Sequence, residues 1–266
     1  MVQVELIAST IEKKFHPPEA MGTPADNQYQ GSCPEKVVEI AGRVCYDSFG
    51  KGRSSEAFHQ HILDVGHGSV LEHAYFTFYI AGISRALSHE LVRHRIGVGI
   101  SQRSTRFVNE GDSDCIIHPL MQDEPNDSAR VKDIKAKMRG VFDDQMKAWQ
   151  ETYKVLSALG TEMQYAYKGT RDLRGEDNMW NKVIKGAARM VAPQALEVQM
   201  VWTANARALR NFFDQRLSKV ADPEIRLLAH TIYKIVAAES PALFKGYKQE
   251  GISFGVPYYS SKWRKV

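Results

Sequence analysis

Between Leu91 and Val108 the chain sets four arginines (Arg93, Arg95, Arg103, Arg106), His94, the hydroxyls of Ser101, Ser104 and Thr105, and Gly97 and Gly99 into eighteen residues that hold no carboxylate. This run constrains the fold more than any other stretch. A solvated basic face is Lys-rich and interleaved with acids, whereas four guanidinium groups without acids repel one another unless an anion sits among them. Arginine's planar fork matches phosphate or a carbonyl-rich base edge, and Ser, Thr and Gln supply neutral donors around it. The two glycines let backbone approach a ligand closely. A single arginine of this kind is most often a solvent-facing group. The whole run reads as a site for one or two phosphorylated, planar molecules.

Periodicity places that run between a helix and a strand. Upstream, Tyr75 to Ile80 alternates as an aromatic strand, and Ser84 is placed to cap a helix on which Leu87 and Leu91 share a face. Before these, Val2, Val4 and Leu6 alternate as a strand, residues 12 to 32 read as a long loop, Pro34 to Cys45 as a helix, and Ser54 to Val65 as a second helix stopped by Gly66. Downstream, residues 109 to 126 read as irregular. Val131 to Leu156 then recurs at helical spacing up to Gly160, where the helix is expected to end. A further helix (178 to 190), a strand (196 to 202), a helix capped by Asn205 and carrying Arg207, Arg210, Asn211 and Arg216, and a helix opened by Asp222-Pro223-Glu224 complete the chain before a basic, loosely held tail from Tyr258 to Val266. The pattern shows neither repeat nor linker, and one α+β domain over residues 1 to 266 is expected.

Charge and cysteine usage narrow the classes. A formal charge of +4 suits anionic small molecules and is mild for a nucleic-acid binder. Cys33, Cys45 and Cys115 are odd in number, far apart and lack CxxC spacing, which argues against a disulfide framework or zinc ribbon and for a reducing, cytoplasmic setting. The amino terminus lacks the features of a signal peptide, and no apolar run approaches the roughly 20 residues that span a bilayer.

The run resembles the signature of the flavin-dependent thymidylate synthases, in which Arg-His-Arg is followed, usually seven residues later, by Ser-x-Arg and an aromatic. Here Arg93-His94-Arg95 is followed after eight residues by Ser104-Thr105-Arg106-Phe107, the extra residue falling within Ile96 to Ile100. Arg43-Val44-Cys45-Tyr46 is similar to that family's early helix end. Gly66-His67-Gly68-Ser69-Val70-Leu71-Glu72-His73 with Phe76-Thr77-Phe78 is similar to its turn and strand, and Ala188 to Pro193, Trp202 to Arg207, Asn211-Phe212 and Arg216 resemble its C-terminal half. The resemblance covers roughly residues 36 to 245.

The resemblance implies conversion of deoxyuridylate (dUMP) to thymidylate, with methylenetetrahydrofolate as carbon donor and NADPH as reductant through FAD. It also implies a homotetramer built on a twisted, mainly antiparallel sheet flanked by helices, with sites where subunits meet. Residue by residue, Ser69, Arg93, His94, Arg95, Asn205, Arg207 and Asn211 match FAD-contacting positions, and His67 is expected at flavin or substrate. Gln102, Arg103, Ser104, Thr105, Arg106, Arg189 and Arg216 match nucleotide-contacting positions with Glu90 and Arg93 close by, and Gln102 also stands where the family touches flavin. Methylating C5 of uracil ordinarily calls for a nucleophilic Cys, and no cysteine lies in these site segments. In the family reduced flavin takes that part, and an Arg at the position of Arg216 stabilises uracil ionised at N3. Val220 stands where the family often has His, and His89-Glu90 replaces an Arg-Gln found in some members.

Two rival readings remain. His89-Glu90-Leu91-Val92-Arg93-His94 superficially resembles HExxH, but histidines five apart lie about 140° around a helix and cannot chelate one ion from one face, so no metal is expected. An RNA- or single-strand-binding module would use Arg93 to Arg106 with Tyr75, Phe76 and Phe78 as stacking platforms. Such an aromatic strand is more often core. No nucleic-acid or membrane partner is expected on the preferred reading.

Overall fold

A computed structural model describes residues 2–11, 13, 30–169 and 176–263. The fold is α+β: a four-stranded antiparallel sheet and a two-stranded hairpin with helices. In chain order the elements are β1 (Gln3–Ser9), α1 (Cys33–Cys45), α2 (Ser55–Asp64), β2 (Tyr75–Ser84), α3 (Arg85–Leu91), β3 (Val98–Gln102), α4 (Ala129–Lys168), α5 (Asp177–Ala188), β4 (Glu197–Asn205), α6 (Ala206–Arg216), α7 (Pro223–Glu239), α8 (Pro241–Phe244), β5 (Tyr247–Ser253) and β6 (Val256–Ser261). The sheet order is β1-β2-β4-β3, and β5 pairs with β6. Among the described residues no helix is long and apolar enough to cross a membrane.

The chain divides into two compact units, one formed by residues 2–80, 90–101 and 201–266, the other by 81–89 and 102–200. In the first, alternation decides which side chains are inside. Phe76, Phe78, Ile80, Trp202 and Ala204 are fully buried, while Thr77 and Thr203 pair through their hydroxyls at 3.0 Å on the other face. Trp202 meets Phe78 and Phe212 with ring centroids 6.1 and 5.2 Å away, fixing α6 on the sheet. Burying side chains of this size contributes roughly 1.5–3 kcal/mol each. Asn205 caps α6, its Oδ1 accepting from the Ala208 amide at 2.8 Å, and Asp222 caps α7 with Pro223 in the first turn, as the sequence predicts.

In the second unit α4 and α5 pack together around Trp149, Tyr153, Ala188 and Leu196. Ser84 caps α3 through the Leu87 amide at 3.0 Å. Helix α4 runs through Gly160 instead of stopping there. A Cβ on Gly160 would lie 2.8 Å from Ile184, so this glycine serves the close approach of α5 and is not a terminator.

The carboxy-terminal reading also needs correction. Tyr258 to Ser261 are not loose: they form β6, which pairs with β5 across Phe254 and Gly255, both at positive φ. The Tyr259 amide donates to the Leu217 carbonyl, and the Trp263 indole donates to Asp64 at 2.8 Å. The loop expected over residues 12 to 32 lies almost wholly outside the described residues, as do residues 264–266.

Candidate active site

Helix α3 ends at Leu91, and the Arg93 and His94 amides continue its turn onto the Glu90 and Leu91 carbonyls. The chain then bends at Gly97, whose φ is +71°. The Gly97 carbonyl accepts from the Asn205 amide at 3.0 Å, and a Cβ on Gly97 would sit 2.4 Å from Asn205 Nδ2. The arginine-rich turn is thus pressed onto the residue that starts α6.

At the other end of α6, Arg216 faces the same segment. Its Nη1 donates to Glu90 Oε2 at 2.8 Å and its Nε to His94 Nε2 at 3.2 Å. His94 is buried, with its ring edge-on to Phe212 at 5.0 Å. Burial, aided by the Arg216 charge, holds the imidazole down at about 4, so it is neutral and accepts from the guanidinium. Burial also pushes the Glu90 carboxyl up, against the pull of Arg216. A histidine held at about 4 when folded and near 6.5 when unfolded binds its proton more readily unfolded. Stability is therefore expected to be fully present above pH 6.5 and to fall on acidification toward pH 4, by roughly 2 kcal/mol from this group. Chemical denaturation of the wild type and His94→Gln across that window checks it. The variant should lose part of the pH dependence, and an unchanged profile would contradict a neutral buried His94.

Asn205, Arg207 and Asn211, successive on the first turns of α6, line one cavity of about 490 Å³ with Glu72, Ile96 and Asp214. Arg207 forms an ion pair with Glu72. His67 lies apart from that cavity: it lines another of about 310 Å³ with Arg43, Tyr46 and Arg53, stands edge-on to Tyr46 at 5.1 Å, and its buried Nδ1 has no partner among the described residues. Ser69 is exposed in the 3-10 turn Gly68–His73.

Within the second unit Arg189 Nη1 donates to the buried Thr105 hydroxyl at 2.9 Å, and both line a cavity of about 250 Å³ that also takes Arg85 and His89 from α3. Arg103 has carboxylate partners from outside the run. It pairs with the fully buried Glu110 at 3.1 Å, which also accepts from the Ser113 hydroxyl, and approaches Glu197 at 3.7 Å. The acids absent from the run are supplied from beyond it. Arg93, Arg95 and Arg106 are exposed and have no carboxylate partner among the described residues, as is Ser104 exposed; Gln102 ends β3 half-buried. The sequence reading assigned no site role to Glu72, Asp214 or Arg85, which line these cavities. Of the three, Glu72 carried a signal, as part of the Gly66-to-His73 motif.

Comparison with known proteins decides the family. Residues 29–242 match the family described as "Thymidylate synthase complementing protein". The chain is 34% identical to the flavin-dependent thymidylate synthase of Corynebacterium efficiens over 98% of its length and 96% of that protein's. It is 38% identical to that of Mycobacterium tuberculosis H37Rv, over 85% of this chain and 84% of the relative, and 36% identical to that of Mycobacterium sp. KMS over 93% and 90%.

The chain belongs to the flavin-dependent thymidylate synthases. Family membership carries flavin-dependent thymidylate synthesis as its activity. None of these matches favours the nucleic-acid-binding alternative, and of its three would-be stacking platforms Phe76 and Phe78 are fully buried while Tyr75 is exposed. The hairpin β5–β6 follows the segment that the family model matches.

Proposed function

We propose that this flavin-dependent thymidylate synthase methylates dUMP with methylenetetrahydrofolate as carbon donor and NADPH as reductant, through FAD. The arrangement that carries this reading is α6, which offers a polar cavity at its start and, at its end, an arginine seated between a neutral imidazole and a carboxylate. The residues fit a flavin dinucleotide. Asn205 and Asn211 bring amide donors and acceptors, Arg207 brings a cation, and the exposed Arg93 and Arg95, without a carboxylate partner among the described residues, are guanidiniums suited to a diphosphate. His94, Ser69, His67 and Gln102 complete the proposed coenzyme set.

Bound FAD supplies the two-electron carrier between NADPH and the transferred methylene. The chain's own contribution is positional and electrostatic. Arg216 meets the uracil edge and stabilises the base as it ionises, because its charge is fixed before the reaction and is most useful where negative charge develops. Glu90 and His94 orient it. Arg189, Thr105, Ser104, Arg106, Arg103 and Gln102 are assigned to the nucleotide, the first two already bonded to each other, with Arg93 shared between nucleotide and coenzyme. We also assign residues 1–266 to one catalytic domain, a homotetrameric assembly with sites at subunit junctions, and a cytoplasmic location. The exposed Val131, Ile134, Met138, Val155, Leu159 and Met163 along α4 support the assembly, and three free thiols support the compartment.

Purified wild-type protein is expected to be yellow, and Arg93→Ala with Arg95→Ala to be colourless or to take up FAD at least about tenfold more weakly, each lost charge-assisted contact costing about 1.5–3 kcal/mol. Flavin absorbance after FAD addition and desalting checks this, and undiminished colour in the double variant would contradict it. Replacing Cys33, Cys45 and Cys115 together by Ser is expected to leave thymidylate synthesis measurable, since none of the three lines the cavities described. Complete loss in a folded triple variant would restore a cysteine nucleophile.

A further inference from the structure

The cavity at the start of α6 holds two carboxylates with different commitments. Glu72 is neutralised by Arg207. Asp214 lines the same cavity with no cationic partner among the described residues. Among the described residues its hydrogen-bonded contact comes from the carboxy-terminal hairpin: the Tyr247 hydroxyl lies 3.2 Å from Asp214 Oδ1 and 3.1 Å from the Arg210 carbonyl. Tyr247 is itself held in place. The fully buried Arg210 lies 5.3 Å from its ring centroid and spends its own guanidinium protons on the Leu243, Lys245 and Trp263 carbonyls.

A half-buried aspartate on a helix surface ordinarily turns to water. Here a tyrosine from a separate element restrains it at a cavity wall, and its charge stays unbalanced. An unbalanced carboxylate repels phosphate and attracts a proton donor. In a cavity that takes a flavin dinucleotide, it must therefore face a hydroxyl or ring N–H of the ligand and not its diphosphate. We propose that Asp214 is a coenzyme-binding residue whose carboxylate accepts a hydrogen bond from an O–H or N–H of the bound flavin coenzyme, and that Tyr247 of the hairpin is the positioning residue that presents it. The inference rests on the assignment of this cavity to FAD made above.

The test is FAD affinity, read by quenching of flavin fluorescence on titration into flavin-free protein whose folding is checked by thermal melting. Asp214→Ala is expected to weaken FAD binding about tenfold, the loss appropriate to a charge-assisted hydrogen bond, and Tyr247→Phe about threefold, because the carboxylate remains but is no longer held. If Asp214→Ala does not fold, Asp214→Asn keeps the shape and the Tyr247 contact and is expected to weaken FAD about fivefold. Repeating the titration with FMN locates the donor: an equal loss places it on the ring or ribityl chain, and a loss confined to FAD places it on the adenosine half. Less than a threefold change for FAD in the folded alanine variant, or none in Asp214→Asn where that variant is needed, overturns the inference. A wild-type protein that takes up no FAD overturns instead the assignment of the cavity.

Discussion

Arg216→Ala is expected to lower the rate of thymidylate formation by about a hundred- to a thousandfold while leaving FAD bound. The size follows from what the side chain does. A preorganised donor aimed at developing charge in a site shielded from water contributes at that scale, and water filling the gap left by alanine must reorganise during the reaction. Flavin retention follows from geometry, because Asn205, Arg207 and Asn211 line the cavity and Arg216 does not. Arg216→Lys separates charge from shape. Lysine keeps the charge but cannot donate to Glu90 and His94 at once through a rigid fork, so it is expected to rescue only a small part of the rate. Steady-state turnover with dUMP beside a flavin spectrum checks both. Wild-type turnover in the alanine variant would remove Arg216 from the chemistry.

Gly97→Ala is expected to be strongly damaging for a change of one methyl group. At φ +71° an L side chain is strained by roughly 1–2 kcal/mol, and the added carbon would lie 2.4 Å from Asn205 Nδ2. That contact forces Asn205 off the α6 cap, at a further cost of about 1 kcal/mol. The expected loss is about 2–3 kcal/mol in stability, with FAD affinity falling because Asn205 belongs to the cavity wall. Gly99→Ala is the control. Its new carbon would meet nothing nearer than Thr203 Cβ at 3.8 Å, an ordinary contact. Denaturation midpoints of the two variants decide the matter, and equal behaviour would mean that the turn is not seated on α6.

What the sequence made legible is what local chemistry determines. Caps at Ser84, Asn205 and Asp222, the alternation of β2 and β4, and the helical spacing of α4 each follow from residues within one or two turns of the feature they define. The features missed depend on partners far away in the chain. Gly160 looks like a stop until Ile184 lies against it. Tyr258 to Trp263 looks like a basic tail until Leu217, Gly246 and Asp64 accept its donors. The arginine run contains no acid, and nothing in it announced that Glu110 would reach Arg103 or that Glu90, the residue just before it, would reach Arg216. Family motifs brought the site residues to attention; the cavity shared by Asn205, Arg207, Asn211 and Asp214 emerges only when one face of α6 is placed beside Glu72 and Ile96.

Titrating dUMP into purified protein carrying FAD, with the flavin absorbance spectrum as readout, tests most directly whether the arginine-dense turn and α6 serve one chemistry. A flavin band in the wild type whose shape changes and saturates with dUMP is the predicted result. Protein that takes up no FAD, or a bound flavin whose spectrum and dUMP turnover are both indifferent to the nucleotide, would contradict it.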